Sequence, residues 1–144
     1  MFSKACEYGI RATIYIAMQS MQGFRVNLKD ISKEIDSPVA FTAKILQQLA
    51  KNDIIKSVKG PTGGFEIDKK DIDSIKLIHI VSAIDGDKIF SGCGLGLKEC
   101  NEEFPCPVHF QFKEIRDNLK KMSSETSIYE LANGLEVGLT FLKR

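Results

Sequence analysis

Between Ile10 and Met21 the apolar positions Ile10, Ile14, Ala17, Met18 and Met21 return every three or four residues, the period of a helix with one buried face. Ser3 is placed to cap that helix, which the pattern carries to about Gln22, with Gly23 closing it. Asn27 stands where it can cap a short second helix from Leu28 to Ile35. Asp36 and Ser37 then make a turn, and Pro38 suits the first position of a third helix running to about Asn52. Thr42, Ile45, Leu46 and Leu49 form the inward stripe of that third helix. A short helix, a tight turn and a second amphipathic helix follow one another in the order of a helix-turn-helix.

The period then changes. Ile54-Ile55-Lys56-Ser57-Val58-Lys59 and Phe65-Glu66-Ile67 are strand-prone, and Gly60-Pro61-Thr62-Gly63-Gly64 between them is turn-forming. This predicts a β-hairpin, the wing of a winged helix-turn-helix. The glycines do not make a phosphate loop, because no Lys-Ser/Thr follows and no helix opens there. A fourth helix is expected from Asp71 or Asp73 through Ile75, Ile78, Ile80 and Ala83 to Gly86. Residues 87–106 read as a loop rich in glycine and cysteine, and a long helix follows from about Pro107 to Met122. Its apolar residues Val108, Phe112, Ile115, Leu119 and Met122 alternate steps of four and three on an otherwise charged helix, which is the seam of a coiled coil. That seam predicts a homodimer. The last stretch, 123–144, reads as a polar tail with one helical segment from Ile128 to Ala132.

These readings add up to a mainly α fold with a small β-hairpin wing. The expected division is a winged helix-turn-helix over 1–67, a connecting helix over 68–90 and a cysteine loop over 91–107. A dimerisation helix over 108–124 and a C-terminal tail over 125–144 complete it.

Charge sharpens the reading of the N-terminal part. Residues 1–60 hold nine Lys/Arg against five Asp/Glu, a local +4 within a chain whose net charge is +1. A basic region of this kind suits a polyanion partner. On the third helix the outward face carries Val39, Ala40, Phe41, Ala43, Lys44, Gln47 and Gln48. Pro38, Ala40, Phe41, Lys44 and Gln48 are therefore candidate DNA contacts, with Ala40 and Phe41 suited to thymine methyls and Lys44 and Gln48 to bases or phosphate. In the wing Lys59, Thr62, Gly63 and Gly64 offer a cation and free backbone N–H groups to phosphate, and Arg11 adds a backbone contact from the first helix. No apolar run approaches the roughly 20 residues of a membrane span, and no charged leader precedes an apolar stretch, so a cytoplasmic protein is expected.

Cys93, Cys100 and Cys106 fall in the pattern C-x6-C-x5-C, with His109 three residues further on. In a reducing compartment such a cluster points to metal or redox chemistry rather than disulfides. Thiolates suit zinc or an iron–sulfur cluster, and the wide glycine-rich spacing suits the larger group better than the close pairs of a zinc site. Three thiolates leave one coordination position to a weaker ligand, the arrangement of a sensor. Cys6 is read as a packing residue of the first helix, and His79 as a core or interface histidine. Neither paired carboxylates nor a Ser/His/Asp set argues for hydrolytic catalysis, so no enzyme is expected.

Glu7-Tyr8-Gly9-Ile10-Arg11-Ala12, Leu46-Gln47-Gln48-Leu49-Ala50-Lys51-Asn52 and above all Lys59-Gly60-Pro61-Thr62-Gly63-Gly64-Phe65 carry a resemblance over nearly the whole chain. The sequence resembles the bacterial winged-helix iron–sulfur regulators, the IscR/NsrR-like transcriptional repressors. That resemblance implies a homodimer on a palindromic operator and a 2Fe–2S cluster held by Cys93, Cys100, Cys106 and His109. The alternative is a 4Fe–4S cluster completed by Glu7 of the partner subunit. It also implies repression governed by iron or cluster status, redox state or nitric oxide. Two features depart from the family pattern: the first cysteine interval is one residue longer, and the recognition helix has Ala40 and Ala43 where polar readers are common. Two other readings stay open, an iron–sulfur electron-transfer protein and a winged-helix regulator that uses zinc or thiol oxidation.

Overall fold

The computed structural model describes residues 1–143. The first helix, α1 (Lys4–Met21), is capped by Ser3, whose hydroxyl accepts from the Cys6 amide at 3.0 Å. Its buried face, including Ala12, Ile16 and Ala17, forms the centre of the main core. Asn27 caps α2 (Leu28–Glu34) through its side chain, which accepts from the Asp30 amide at 2.9 Å. The tight turn after it places Asp36 at φ 53°, a left-handed conformation that aspartate tolerates through local hydrogen bonding. Pro38 is the extended N-cap of α3 (Val39–Lys51) rather than its first helical residue. Thr42, Ile45, Leu46 and Leu49 are all buried, so the period read from sequence locates the inward face of α3.

The wing is a two-stranded antiparallel hairpin of β1 (Lys56–Val58) and β2 (Gly64–Glu66), with Ser57 opposite Phe65. Its base is pinned from the other side: Val26 and Phe65 exchange two backbone hydrogen bonds, at 3.0 and 2.8 Å. Two glycines are required here. A Cβ on Gly63 would lie 2.0 Å from the Val58 carbonyl oxygen, and Gly64 sits at φ 141° with its missing Cβ 2.7 Å from the Val26 carbonyl oxygen.

Four expectations are corrected in the second half. The fourth helix, α4 (Leu77–Asp85), does not begin at Asp71 or Asp73. The backbone before it is committed elsewhere: Leu77 donates to Thr126 at 3.0 Å and Ile128 donates to Ile75 at 2.8 Å, so residues around Lys76 are extended. The cysteine segment contains a helical turn of its own, α5 (Lys88–Ser91), which buries Phe90. The long helix, α6 (His109–Glu125), starts later and ends later than its apolar pattern suggested.

Part of the stretch read as a polar tail, the helical segment expected from Ile128 to Ala132, is a core element. Ser127 and Glu130 form a reciprocal capping box that starts α7 (Ile128–Glu136), and Ile128 and Ala132 are fully buried in the α1 core. A second, smaller core of Cys6, Leu77, Val81 and Phe90 joins α1, α4 and α5, and Leu119 of α6 packs against it. Among the described residues no helix is long and apolar enough to cross a membrane.

Candidate nucleic-acid interface and cysteine site

On α3 the outward positions Pro38, Ala40, Phe41 and Lys44 are exposed, as the sequence pattern requires. Gln48 is exposed too, but its amide Nε2 donates to the Ala83 carbonyl at 2.8 Å and ties α3 to α4. Arg11 lies on α1 with its guanidinium 4.8 Å from the centre of the Tyr8 ring. That ring meets Phe41 edge-to-face, with centroids 5.7 Å apart, so α1 and the start of α3 are joined at their outer edge. In the wing Lys59 and Thr62 are exposed, whereas Gly63 and Gly64 are half-buried. Sequence reasoning missed Arg25, which pairs with Glu66 at 2.8 Å and donates to the Thr62 carbonyl at 3.3 Å, bracing the hairpin from outside.

The cysteine loop folds its donors back onto the start of α6. The Cys93 and Cys106 sulfurs are 3.9 Å apart. Cys100 Sγ lies 3.3 Å from His109 Nδ1. His109 is buried, and its other ring nitrogen, Nε2, has no hydrogen-bond partner. Backbone N–H groups, that of Leu95 foremost and then that of Leu97, hold the Cys93 thiol below the ordinary thiol value, since they favour the thiolate. Gly94 allows the loop to lie on α6, because a Cβ there would stand 2.4 Å from the Phe112 ring. Among the described residues no three of these side chains converge on one point close enough for a single metal ion. The side chains instead form two pairs, Cys93 with Cys106 and Cys100 with His109. In chemistry, three thiols and an imidazole, the set suits a thiolate-bound polynuclear group.

Arg116 was also missed. Its Nη1 and Nη2 donate to Cys100 Sγ, each at 3.3 Å, and Nη1 donates to the Gly92 carbonyl as well. A signal was available: Arg116 follows His109 by two helical turns and so shares its face. Glu7 is exposed on α1, where it pairs with Lys4 at 3.4 Å. Cys6 is fully buried, as expected of a packing residue, and burial, followed by the nearby Asp85 carboxylate, pushes its thiol up to about 12. His79 is exposed on the protomer, which rules out the core placement; its Nδ1 accepts from the Lys76 amide at 2.9 Å and caps α4.

The profile of the Rrf2 family, described as iron-dependent transcriptional regulator, matches residues 2–134. The chain belongs to the Rrf2 family. A protein from Aquifex aeolicus named for an HTH-type transcriptional regulator is 30% identical over 135 residues, covering 92% of both chains. The HTH-type transcriptional regulator IscR of Escherichia coli is 29% identical over 130 residues, covering 90% of this chain and 78% of that protein. Among solved structures, CymR, the global cysteine regulator of B. subtilis, superposes with a TM-score of 0.77 at 20% identity, covering 92% of this chain and 96% of that one. The IscR of T. potens superposes at 0.72 and 19% identity, covering 97% and 91%. The fold is therefore the winged helix of this family, and the chain is an Rrf2-type transcriptional regulator rather than an enzyme.

Proposed function

We propose that this Rrf2 protein is a homodimeric repressor whose hold on its operator follows the state of an iron–sulfur cluster on Cys93, Cys100, Cys106 and His109. The observation that carries the reading is the pairing of the donors, 3.9 Å between Cys93 and Cys106 and 3.3 Å between Cys100 and His109. Two pairs are what a 2Fe–2S cluster uses, since each iron takes two protein ligands. The unpartnered buried Nε2 of His109 gives that side chain a reason to prefer a ligand. When bound, such a cluster would supply one-electron redox chemistry, with Cys93, Cys100, Cys106 and His109 as the side chains that would hold it. The Rrf2 description as iron-dependent and the likeness to IscR support the same reading.

The residues of the chain divide the remaining work. Arg11, Pro38, Ala40, Phe41 and Lys44 serve the major groove and its flanking phosphates, while Lys59 and Thr62 serve the wing contact; the Gly63 N–H is spent on the Gly60 carbonyl, so Gly63 and Gly64 shape the wing instead of offering free N–H groups. Gln48, held by Ala83, acts in positioning α3. Phe112, Ile115 and Met122 are exposed along α6 and form the dimer seam, whereas Leu119 is partly used inside the protomer. Palindromic operators follow from a two-fold dimer.

One observation favours a second reading. The approach of Cys93 to Cys106, with Cys93 biased toward thiolate, also suits a thiol–disulfide switch. Protein purified without oxygen separates the two. The cluster reading expects visible absorption with stoichiometric iron and sulfide, lost in Cys93→Ala, Cys100→Ala and Cys106→Ala but kept in Cys6→Ala. Colourless, iron-free protein that gains an intramolecular disulfide on oxidation would replace it.

A further inference from the structure

We infer that Tyr8 is a positioning residue of the DNA interface, whose ring holds Phe41 and Arg11 as one reading unit, Phe41 for thymine methyl groups and Arg11 for phosphate. The inference rests on α3 being the recognition helix. Phe41 lies in the first turn of α3, the part of such a helix that meets base edges, and is 36% exposed. A ring so exposed would sample several rotamers. Its edge-to-face contact with Tyr8, at 5.7 Å and an interplanar angle of 83°, restricts it.

The cations on the same ring are not equivalent. Lys4 stands 5.1 Å from the Tyr8 centroid and is neutralised by Glu7. Arg11 stands 4.8 Å away, and among the described residues no carboxylate pairs with it. A guanidinium stacked on an aromatic face keeps its N–H edges free for a phosphate.

Neighbouring residues settle what Phe41 reads. Gln48 spends its amide on Ala83, and Val39 and Ala40 beside Phe41 are exposed and apolar. An apolar edge has one distinctive partner in the major groove, the C5-methyl of thymine. Tyr8 packs its inner side on the main core, so the unit is anchored to the domain.

The test begins with selection of bound duplexes from a random-sequence pool by wild-type protein, followed by affinity measurements across salt for Y8F, Y8L, F41A and Y8L/F41A. Y8F, which keeps the ring, should bind within about twofold of wild type, while Y8L should bind roughly tenfold more weakly. Y8L should also flatten the salt dependence by roughly one phosphate contact. In the F41A background Y8L should cost less than it does alone. Replacing thymine by deoxyuridine in the selected duplex should weaken wild type and Y8F at one or more positions and leave F41A indifferent there. Y8L binding like wild type, Y8F falling as far as Y8L, or uracil without effect at every thymine would each overturn the proposal. Should Y8L unfold, as urea melts would reveal, Y8M, which also removes the ring, takes its place in each of these comparisons. Wild type selecting no duplex would remove the recognition-helix reading, and this proposal with it.

Discussion

Gly64→Ala should disable the wing while leaving the helices folded. Gly64 sits at φ 141°, where an L side chain is strained, and its Cβ would stand 2.7 Å from the Val26 carbonyl oxygen and 3.1 Å from the carbonyl carbon. A backbone forced into such a region costs about 1–3 kcal/mol. The methyl also pushes on the strand whose Phe65 exchanges two hydrogen bonds with Val26. Each lost bond costs a further kcal/mol or so, giving about 2–5 kcal/mol in total. Two strands of three residues cannot carry that load, because a lone hairpin is marginal in water. The wing should therefore detach locally before the domain unfolds. Far-UV circular dichroism should stay helical, while affinity for every duplex falls and its salt dependence flattens. Lys59→Ala should reproduce the flattening, by roughly one phosphate contact, with the hairpin intact. Gly64→Ala protein that binds with wild-type affinity and salt slope would show that the wing takes no part in binding.

Ile115→Asp places a charge at a seam residue that is 59% exposed in the protomer, so folding should change by less than about 0.5 kcal/mol while sedimentation shifts from dimer to monomer. A dimeric Ile115→Asp protein would remove α6 as the interface. Ile128→Ala opens a cavity at a fully buried site and should cost about 2–5 kcal/mol in urea unfolding; a loss under about 1 kcal/mol would make α7 peripheral. The Cys6 thiol, raised from 9.0 to about 12, stays protonated in the folded chain after the unfolded chain has released its proton. Stability must then fall as pH rises above about 9, and Cys6→Ala should fall less steeply in alkaline urea melts; equal slopes would refute the shift.

The helix-turn-helix was legible because each of its boundaries has a local cause. Ser3 and Asn27 cap through their own side chains, and the stripe from Thr42 to Leu49 is an uninterrupted period on one helix. The start of α4 was not legible, because Ile75 and Leu77 pair with Ile128 and Thr126, far along the chain, and that pairing overrides the helical pattern of Ile75, Ile78 and Ile80. The burial of α7 could have been read in part: Ser127 and Glu130 are a capping box in plain view, but the polar residues around them suggested solvent on every side. In the cysteine site the residue types and spacing named candidate ligands, and the chain pairs Cys93 with Cys106 across the whole loop. No spacing rule specifies that pairing, which depends on Gly94 letting the loop lie on Phe112.

The same contacts offer a route by which a change at the cysteines would reach α1 and α3, the helices proposed to meet DNA. The loop is fastened to α6 at three levels: His109 at the first turn, Phe112 beneath Gly94, and Arg116 donating to both Gly92 and Cys100. Ile115 and Leu119, interleaved with those residues, face two other bodies. Ile115 is open to a partner, and Leu119 packs on the small core of Cys6, Leu77, Val81 and Phe90. That core includes α1, which carries Tyr8 and Arg11, and α4, which holds α3 through Gln48 and Ala83. A rearrangement of the loop that rotates α6 must therefore disturb either the seam or the small core. In the proposed dimer the first would alter the separation of the two α3 helices, and the second would alter the seating of α3 within one protomer. Packed interiors pass such shifts on rather than absorb them. A shift in protomer separation would favour one operator spacing over another, whereas a shift in seating would weaken every half-site alike. Operators of altered spacing, offered to the protein in its two states, tell these routes apart.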